Sequence, residues 1–454
     1  METTDDAMNV ETVTDTGVEK VDEVLDETPA FVDMNDVVEV DVDDDAPMNE
    51  DDEENIADQP EAEISAPIIE MSKSKVDSHT DAVYAVASFM QDDKLSIISG
   101  GGDDKAVLHQ VSSTGSASRN LSYNHADTVS CVAFNMAYVS ADLAKTPRLA
   151  AVGSYDGTIV LYDPDTAEQK LKLEGPSDVE WLCFHPKGGS VLLAGSGDGT
   201  VWMFHIPLNR CLQVFVGHEQ AVTAGCFSPD GKWAISASAD GTLRIWAPKS
   251  GMSKHVFRLE QAGLTCMASK GGSDGMLVLV GAENGNAHIC HIGTKKVVTV
   301  LRHFESPVQT DEDEEMEYPM SVEAVGFCPS QPSWCATGGV DGRLKIWDLS
   351  KGGQCRHTCE VETEENDSIT QLRWHPMLPV VFTTTISGKV HLWDARNANL
   401  LQTLTGHTET INDLDMNFFD NGISVIVSAG DDKSVRVFEV NVNRILHESS
   451  AVAQ

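Results

Sequence analysis

From about residue 68 onward, apolar residues fall in short runs of strand length, broken by Gly, Pro, Asp and Asn, and hardly any stretch carries the three-to-four spacing of a helix. The pattern then repeats. Its clearest copy starts at Gly217-His218 and continues with an apolar run AVTAGCFS, a turn Pro229-Asp230-Gly231 and a run KWAISASA. A second turn at Asp240-Gly241 leads into a strand that ends at Trp246. The six-residue step from Asp240 to Trp246 fits eight places: Asp104 to Gln110, Asp156 to Tyr162, Asp198 to Phe204, Asp240 to Trp246, Asn284 to Cys290, Asp341 to Trp347, Ser387 to Trp393 and Asp432 to Phe438. These turns lie 42 to 57 residues apart, close to the ~40–45 residues of a four-stranded propeller blade. The spacing predicts an all-β propeller of eight blades, with seven as the alternative count.

His218, Ser236 or Ser238, Asp240 and Trp246 have the chemistry of a buried relay in which the carboxylate holds the imidazole and the indole N–H finds an acceptor. Such a relay pins the loop entering a blade to that blade's turn. Asp-Gly pairs supply the positive φ of a tight hairpin, as at Gly157, Gly199, Gly241, Gly285, Gly342 and Gly388. Repeats one, three, five and seven depart from the pattern, with Gln110 for Trp, Pro176 for His, Asn284 for Asp and Ser387 for Asp. A ring must also close. Residues 68–78 or Arg444 to His447 could supply the last outer strand, and 68–78 is preferred because it precedes His79 as an outer strand precedes His218.

Composition narrows the function. No run approaches the ~18–20 apolar residues of a membrane span, and the N-terminus has neither a basic leader nor an apolar core. A cytoplasmic or nuclear address is the expectation. The ten cysteines contain no C-x-x-C pair, so they read as small core residues and no metal site is expected. No phosphate loop, nucleophile elbow or zinc helix motif occurs, and Gly100-Gly101-Gly102-Asp103-Asp104 lacks the Gly-Lys-Ser/Thr that would contact phosphate. The Ser, His and Asp of the relay recur in several repeats beside a Trp, which suits a structural device rather than one active site. A non-enzymatic protein without cofactor is expected.

The net charge of −41 is the strongest signal. Residues 1–70 hold 26 Asp and Glu against Lys20 alone, so they carry −25 and the other 384 residues carry −16. The segment 1–66 reads as a disordered acidic tail and 67–454 as the propeller domain. No Lys/Arg cluster suited to phosphates stands out in the chain, which argues against direct nucleic-acid binding and for a basic protein partner.

The placement of acid points to a site. Two insertions precede repeats six and seven on the face of the relay loops: 305–319, containing Asp311, Glu312, Asp313, Glu314 and Glu315, and 360–367, containing Glu362, Glu364, Glu365 and Asp367. Two residues before each innermost strand stand Asp367, Glu409, Asp81 and Asp127 in repeats seven, eight, one and two, which become neighbours once the ring closes. Repeats three to six hold Ser177, Gln220, Ala262 and Met320 there. The acid is thus confined to one arc of the channel mouth, a binding site for a Lys/Arg-rich segment.

The repeat is that of WD-repeat proteins, and particular stretches resemble the angio-associated migratory cell protein family. They are Ser99-Gly100-Gly101 through Asp104-Lys105-Ala106, Val179-Glu180-Trp181 through His185-Pro186, and VLLAGSGDGTVWMFHIP at 191–207, together with the long acidic N-terminus. That family is similar to, and includes, the yeast chaperone of a basic large-subunit ribosomal protein, whose acidic top face grips its client's basic N-terminal segment. The resemblance implies the same role here, as a monomer in large-subunit assembly. A multivalent scaffold in signalling or cell migration, or a histone-binding propeller, are the alternatives.

Overall fold

Eight four-stranded antiparallel sheets follow one another around a ring. The computed structural model describes residues 68–452 except 92–93, 113–114, 136–147, 189, 273–274, 305–319, 362–366 and 420–421. Blades 1 to 7 are each one run of chain: 83–120, 129–174, 179–216, 224–258, 264–302, 322–359 and 369–404. Blade 8 takes three strands from 411–440 and its outermost from Ser74–Val76, paired as Ser74 with Val437, Lys75 with Arg436 and Val76 with Val435. The N-terminal segment therefore clasps the ring. Arg444 to His447 instead belong to the only α-helix among the described residues, Val442–Val452, whose Val442, Ile445 and Leu446 pack on the blade 8 core.

Middle strands explain why the blades stack. Val191–Ser196, Val380–Thr385 and Ser424–Gly430 are apolar or small at almost every position and are buried throughout or nearly so, because each sheet is covered on both faces by its neighbours. Each fully buried aliphatic side chain contributes about 1.5–3 kcal/mol.

The ring is also tied by hydrogen bonds between blades. In every blade but blade 4 the innermost strand opens with a bulge, and at this position, or its equivalent in blade 4, five blades carry a side chain that bonds the next blade. Thr223 Oγ1 donates to the Leu264 carbonyl at 2.7 Å, Thr370 Oγ1 to Ile411 at 2.6 Å and Asn412 Nδ2 to Val83 at 3.1 Å. Ser130 and Thr265 donate likewise to Val179 and Val322. Glu180 fills this place in blade 3, and the Trp181 indole supplies the bond instead, to Val222 at 2.9 Å. The blade 8 to blade 1 seam carries two further ties: Asp413 accepts from the Val86 amide at 2.9 Å, and Asp415 from the Ser88 amide at 2.6 Å and its hydroxyl at 2.7 Å.

The relay forms as its chemistry requires. His218 Nδ1 meets Asp240 at 3.0 Å and its Nε2 meets Ser236 at 2.8 Å, while Trp246 Nε1 donates to the same hydroxyl at 2.8 Å. Ser238 instead donates to the Gln220 carbonyl. Blade 6 repeats the arrangement with His303, Thr337, Asp341 and Trp347.

Blade 1 needs a correction. Its relay uses Asp103, at 2.9 Å from His79 Nδ1, and the position of the indole is held by His109, whose Nε2 lies 3.0 Å from Ser99. Asp104 and Gln110 stand one residue too late. Asp104 adopts φ of +61°, the turn conformation that glycine takes in six other blades, as Lys433 does in blade 8 with φ of +64°. Counting from the second of two adjacent aspartates shifted the register by one.

The clasp joins the circle through only three residue pairs. Val76→Asp, which sets an unpaired carboxylate among the buried residues of the blade 8 to blade 1 interface, is expected to cost at least about 2 kcal/mol. Urea denaturation followed by circular dichroism checks this. A midpoint unchanged from the parent chain would show that closure does not depend on this strand.

Candidate functional site

In blades 1, 2, 4 and 8 the loop entering the blade is held down by the turn it meets. The turn carboxylate accepts the first loop amide: Asp103 from Thr80 at 3.0 Å, Asp156 from Ala126 at 2.8 Å and Asp240 from Glu219 at 3.0 Å. The residues two places before the innermost strands therefore sit at a fixed height around the mouth of the channel.

Asp81, Asp127 and Glu409 are exposed there. Asp81 and Asp127 each cap the amide that follows them, at 2.9 and 2.7 Å, which orients the carboxylates without neutralising them. No ion pair engages these three among the described residues. Lys433 lies close by, its ammonium on the Thr80 carbonyl at 3.1 Å.

Asp367 is different. It accepts the Ser387 amide at 2.9 Å and the Ser387 hydroxyl. The tie of the other blades is reversed in blade 7, with the carboxylate on the loop and the hydroxyl on the turn. Asp367 is thus already committed to holding its own loop. Blades 7, 8, 1 and 2 are consecutive around the ring, so the arc is contiguous. Asp311, Glu312, Asp313, Glu314, Glu315, Glu362, Glu364 and Glu365 lie outside the described residues.

Blade 3 also carries acid, away from the position that Asp81 and Asp127 occupy in blades 1 and 2. Asp178 and Glu180 flank the first residue of its innermost strand and converge over Gly197, where an added Cβ would meet Asp178 Oδ2 at 2.1 Å and Glu180 Oε1 at 3.2 Å. Burial pushes the Glu180 carboxyl up and the neighbouring Asp178 charge adds to the shift. Burial and Glu180 likewise hold the Tyr155 phenol up at about 12. Tyr84 and Tyr155 are 45% and 42% exposed on this rim, so aromatic surface is interleaved with the carboxylates. The signal was available in Asp178-Val179-Glu180, a pair of acids straddling a strand start.

Comparison with known proteins agrees with this architecture. The WD domain, G-beta repeat family matches residues 167–205, 209–247, 319–348, 353–394 and 398–439. The chain is 35% identical to human angio-associated migratory cell protein over 364 residues, covering 78% of this chain and 77% of that one. The chain belongs to the angio-associated migratory cell protein family of WD-repeat proteins. Among more distant relatives of this family member is the ribosome assembly protein SQT1 of Saccharomyces cerevisiae, 25% identical over 432 residues that cover 86% of this chain and 92% of SQT1. The fold of Chaetomium thermophilum Sqt1 bound to the N-terminus of ribosomal protein L10 superposes with a TM-score of 0.67 at 19% identity, over 82% of this chain and all of that one.

The relay also sets the response to pH. Burial raises the Asp240 carboxyl, but the Thr242 hydroxyl, the Glu219 amide and His218 pull it down by more, so it titrates below the ordinary carboxylate range. Asp103 and Asp341 are lowered in the same manner, against burial, chiefly by His79 and His303. Burial depresses His218 and His125, and takes His109 to about 3 and His375 to about 4. Groups with depressed values bind more protons when unfolded, so stability must fall as pH falls. Loss is expected to begin below about 6.5 as the unfolded histidines protonate, and to steepen below about 4 as the carboxylates do.

Urea midpoints measured between pH 8 and 3 check that order; a stability maximum near pH 5 would contradict it. Ser236→Ala removes the hydroxyl that accepts from the Trp246 indole and donates to His218 Nε2, and is expected to destabilise by about 1–3 kcal/mol. Val152 stands at that position in blade 2, where His125 Nε2 has no hydrogen-bond partner among the described residues. The converse change, Val152→Ser, is therefore expected to raise the denaturation midpoint.

Proposed function

We propose that this protein is a non-enzymatic chaperone that holds a basic ribosomal protein on its acidic channel mouth in the cytoplasm and delivers it to the assembling large subunit. The observation that carries the reading is the contiguous rim of exposed carboxylates, Glu409, Asp81 and Asp127, on consecutive blades, with no ion pair among the described residues. Kinship with a ribosome assembly protein, and the likeness in fold to a propeller bound to the N-terminus of ribosomal protein L10, support the choice of client.

Electrostatics alone does not supply tight binding. One exposed ion pair contributes roughly 0–1 kcal/mol, and screening acts over about 8 Å at physiological salt. The carboxylates of the rim raise the association rate and reject acidic competitors, and the acidic insertions 305–319 and 360–367 add to that field. Tyr84 and Tyr155 offer ring faces over which an arginine or lysine of the client can lie. The Asp367 carboxylate contributes charge while holding its loop.

The triple variant Asp81→Lys, Asp127→Lys and Glu409→Lys separates binding from folding, since all three side chains are exposed. It is expected to weaken binding of the N-terminal segment of ribosomal protein L10 by at least about tenfold at 0.15 M salt, with an unchanged melting temperature. Isothermal titration at several salt concentrations measures both the loss and its salt dependence. Unaltered affinity in the variant would defeat the proposal. Binding of several unrelated partners with no response to salt would favour the scaffold reading.

A further inference from the structure

Opposite the acidic arc, the outer flank of blades 4 and 5 is basic. Residues 247–259 and 284–304 contain no Asp or Glu, yet hold Lys249, Lys254, Arg258, Lys295, Lys296 and Arg302. All six are exposed, and none pairs with a carboxylate among the described residues. The fold brings the two triplets together, with Lys295 Nζ on the Lys254 carbonyl at 3.4 Å. This cluster was not apparent along the chain because its two halves are some 40 residues apart and each is short.

Within the flank runs a strand edge that has no partner strand on its outer side among the described residues, its Thr299 hydroxyl donating to the Gly352 carbonyl of blade 6 at 3.2 Å. Lys296–Arg302 is the outermost strand of blade 5, paired only on its inner side. Val297, Val298 and Val300 are 42%, 57% and 43% exposed. Edge strands are ordinarily blunted by charge. Blade 2 does this with Lys170 paired to Glu168 and Lys172 paired to Glu174; blade 5 presents valines flanked by cations of one sign. Beside the start of the strand, a groove of about 450 Å³ opens between blades 4 and 5. Trp233, Met276 and Ile292 wall it, Lys254 and Lys295 stand at its rim, and the Asp230 carboxylate there is paired with Lys232 at 3.0 Å.

We propose that this flank is a second interaction surface, which takes an extended acidic peptide of a partner protein as a fifth strand on blade 5. The backbone of 297–301 supplies a ladder of donors and acceptors, and alternate side chains of the added strand face opposite sides. Its carboxylates then meet Lys254, Lys296 and Arg302, and its apolar side chains meet the valines and the groove. A peptide fits better than a nucleic acid, because the edge offers hydrogen-bonding backbone and aliphatic side chains rather than exposed aromatic faces on which bases could stack.

A fluorescein-labelled synthetic peptide of four Val-Asp repeats is the probe, with a Val-Lys repeat and a ten-residue oligouridylate as comparators, all titrated against the full chain by anisotropy. The Val-Asp peptide is expected to bind and to slow amide exchange at 297–301. Lys295→Glu combined with Lys296→Glu should weaken it at least tenfold, and Val298→Asp should do the same without altering the melting temperature. Binding should be unchanged in the Asp81, Asp127 and Glu409 triple variant, so this surface stands or falls separately from the channel mouth. Equal binding by the charge-reversed flank, absence of exchange protection in the strand, or tighter binding of the oligouridylate would overturn the proposal.

Discussion

Circular closure is the constraint on which this molecule depends. A sheet whose middle strands are apolar on both faces, as Val380–Thr385 is in blade 7, has no stable solvent-facing side, so every blade requires two neighbours. Eight such blades satisfy one another only as a ring, and a ring made from one chain must be joined where its ends meet. That join falls inside blade 8, where three residues pair with Val435–Val440. Around it cluster other contacts of the same segment: Met71 with the Thr405 carbonyl, Lys73 with Glu439, and Glu70 with Arg436. The extra carboxylate ties of Asp413 and Asp415 lie at the adjoining seam.

Two hydrogen-bond systems divide the remaining work. The relay acts within a blade and sets the height of the inter-blade loop, whereas the bulge side chains act between blades at the lining of the channel. Neither is complete in every blade. Where one member is missing, another polar group often takes its part, as the Trp181 indole does in blade 3 and the reversed Asp367 to Ser387 pair does in blade 7. Packing carries most of the stability beneath both systems, consistent with close-packed interiors stabilised mainly by apolar burial.

Function is confined to what this framework leaves exposed. The relay is buried and neutral in its outward effect, so the rim carboxylates and the outer strand edges are the surfaces free to vary in charge. Glu409, Asp81 and Asp127 lie exposed at the mouth over blades 8, 1 and 2, while the exposed cations of blades 4 and 5 lie on the outer flank. Opposite charges on different surfaces orient an approaching charged partner before any contact forms.

The eight-fold count, the relay chemistry and the acid at Asp81, Asp127, Asp367 and Glu409 were legible in the sequence, because each depends on residue type at a fixed spacing within one repeat. Local hydrogen bonding enforces that spacing, and local order is what a linear reading captures. Other features depended on contacts between distant segments. The sequence favoured residues 68–78 for closing the ring, but the register of Ser74–Val76 on Val435–Val437, the choice of Asp103 over Asp104, the commitment of Asp367 to Ser387, and the meeting of Lys254 with Lys295 were settled by tertiary structure alone. Closing the ring and packing its blades brings residues far apart in the chain within bonding distance, and no periodicity along the chain encodes which of them will meet.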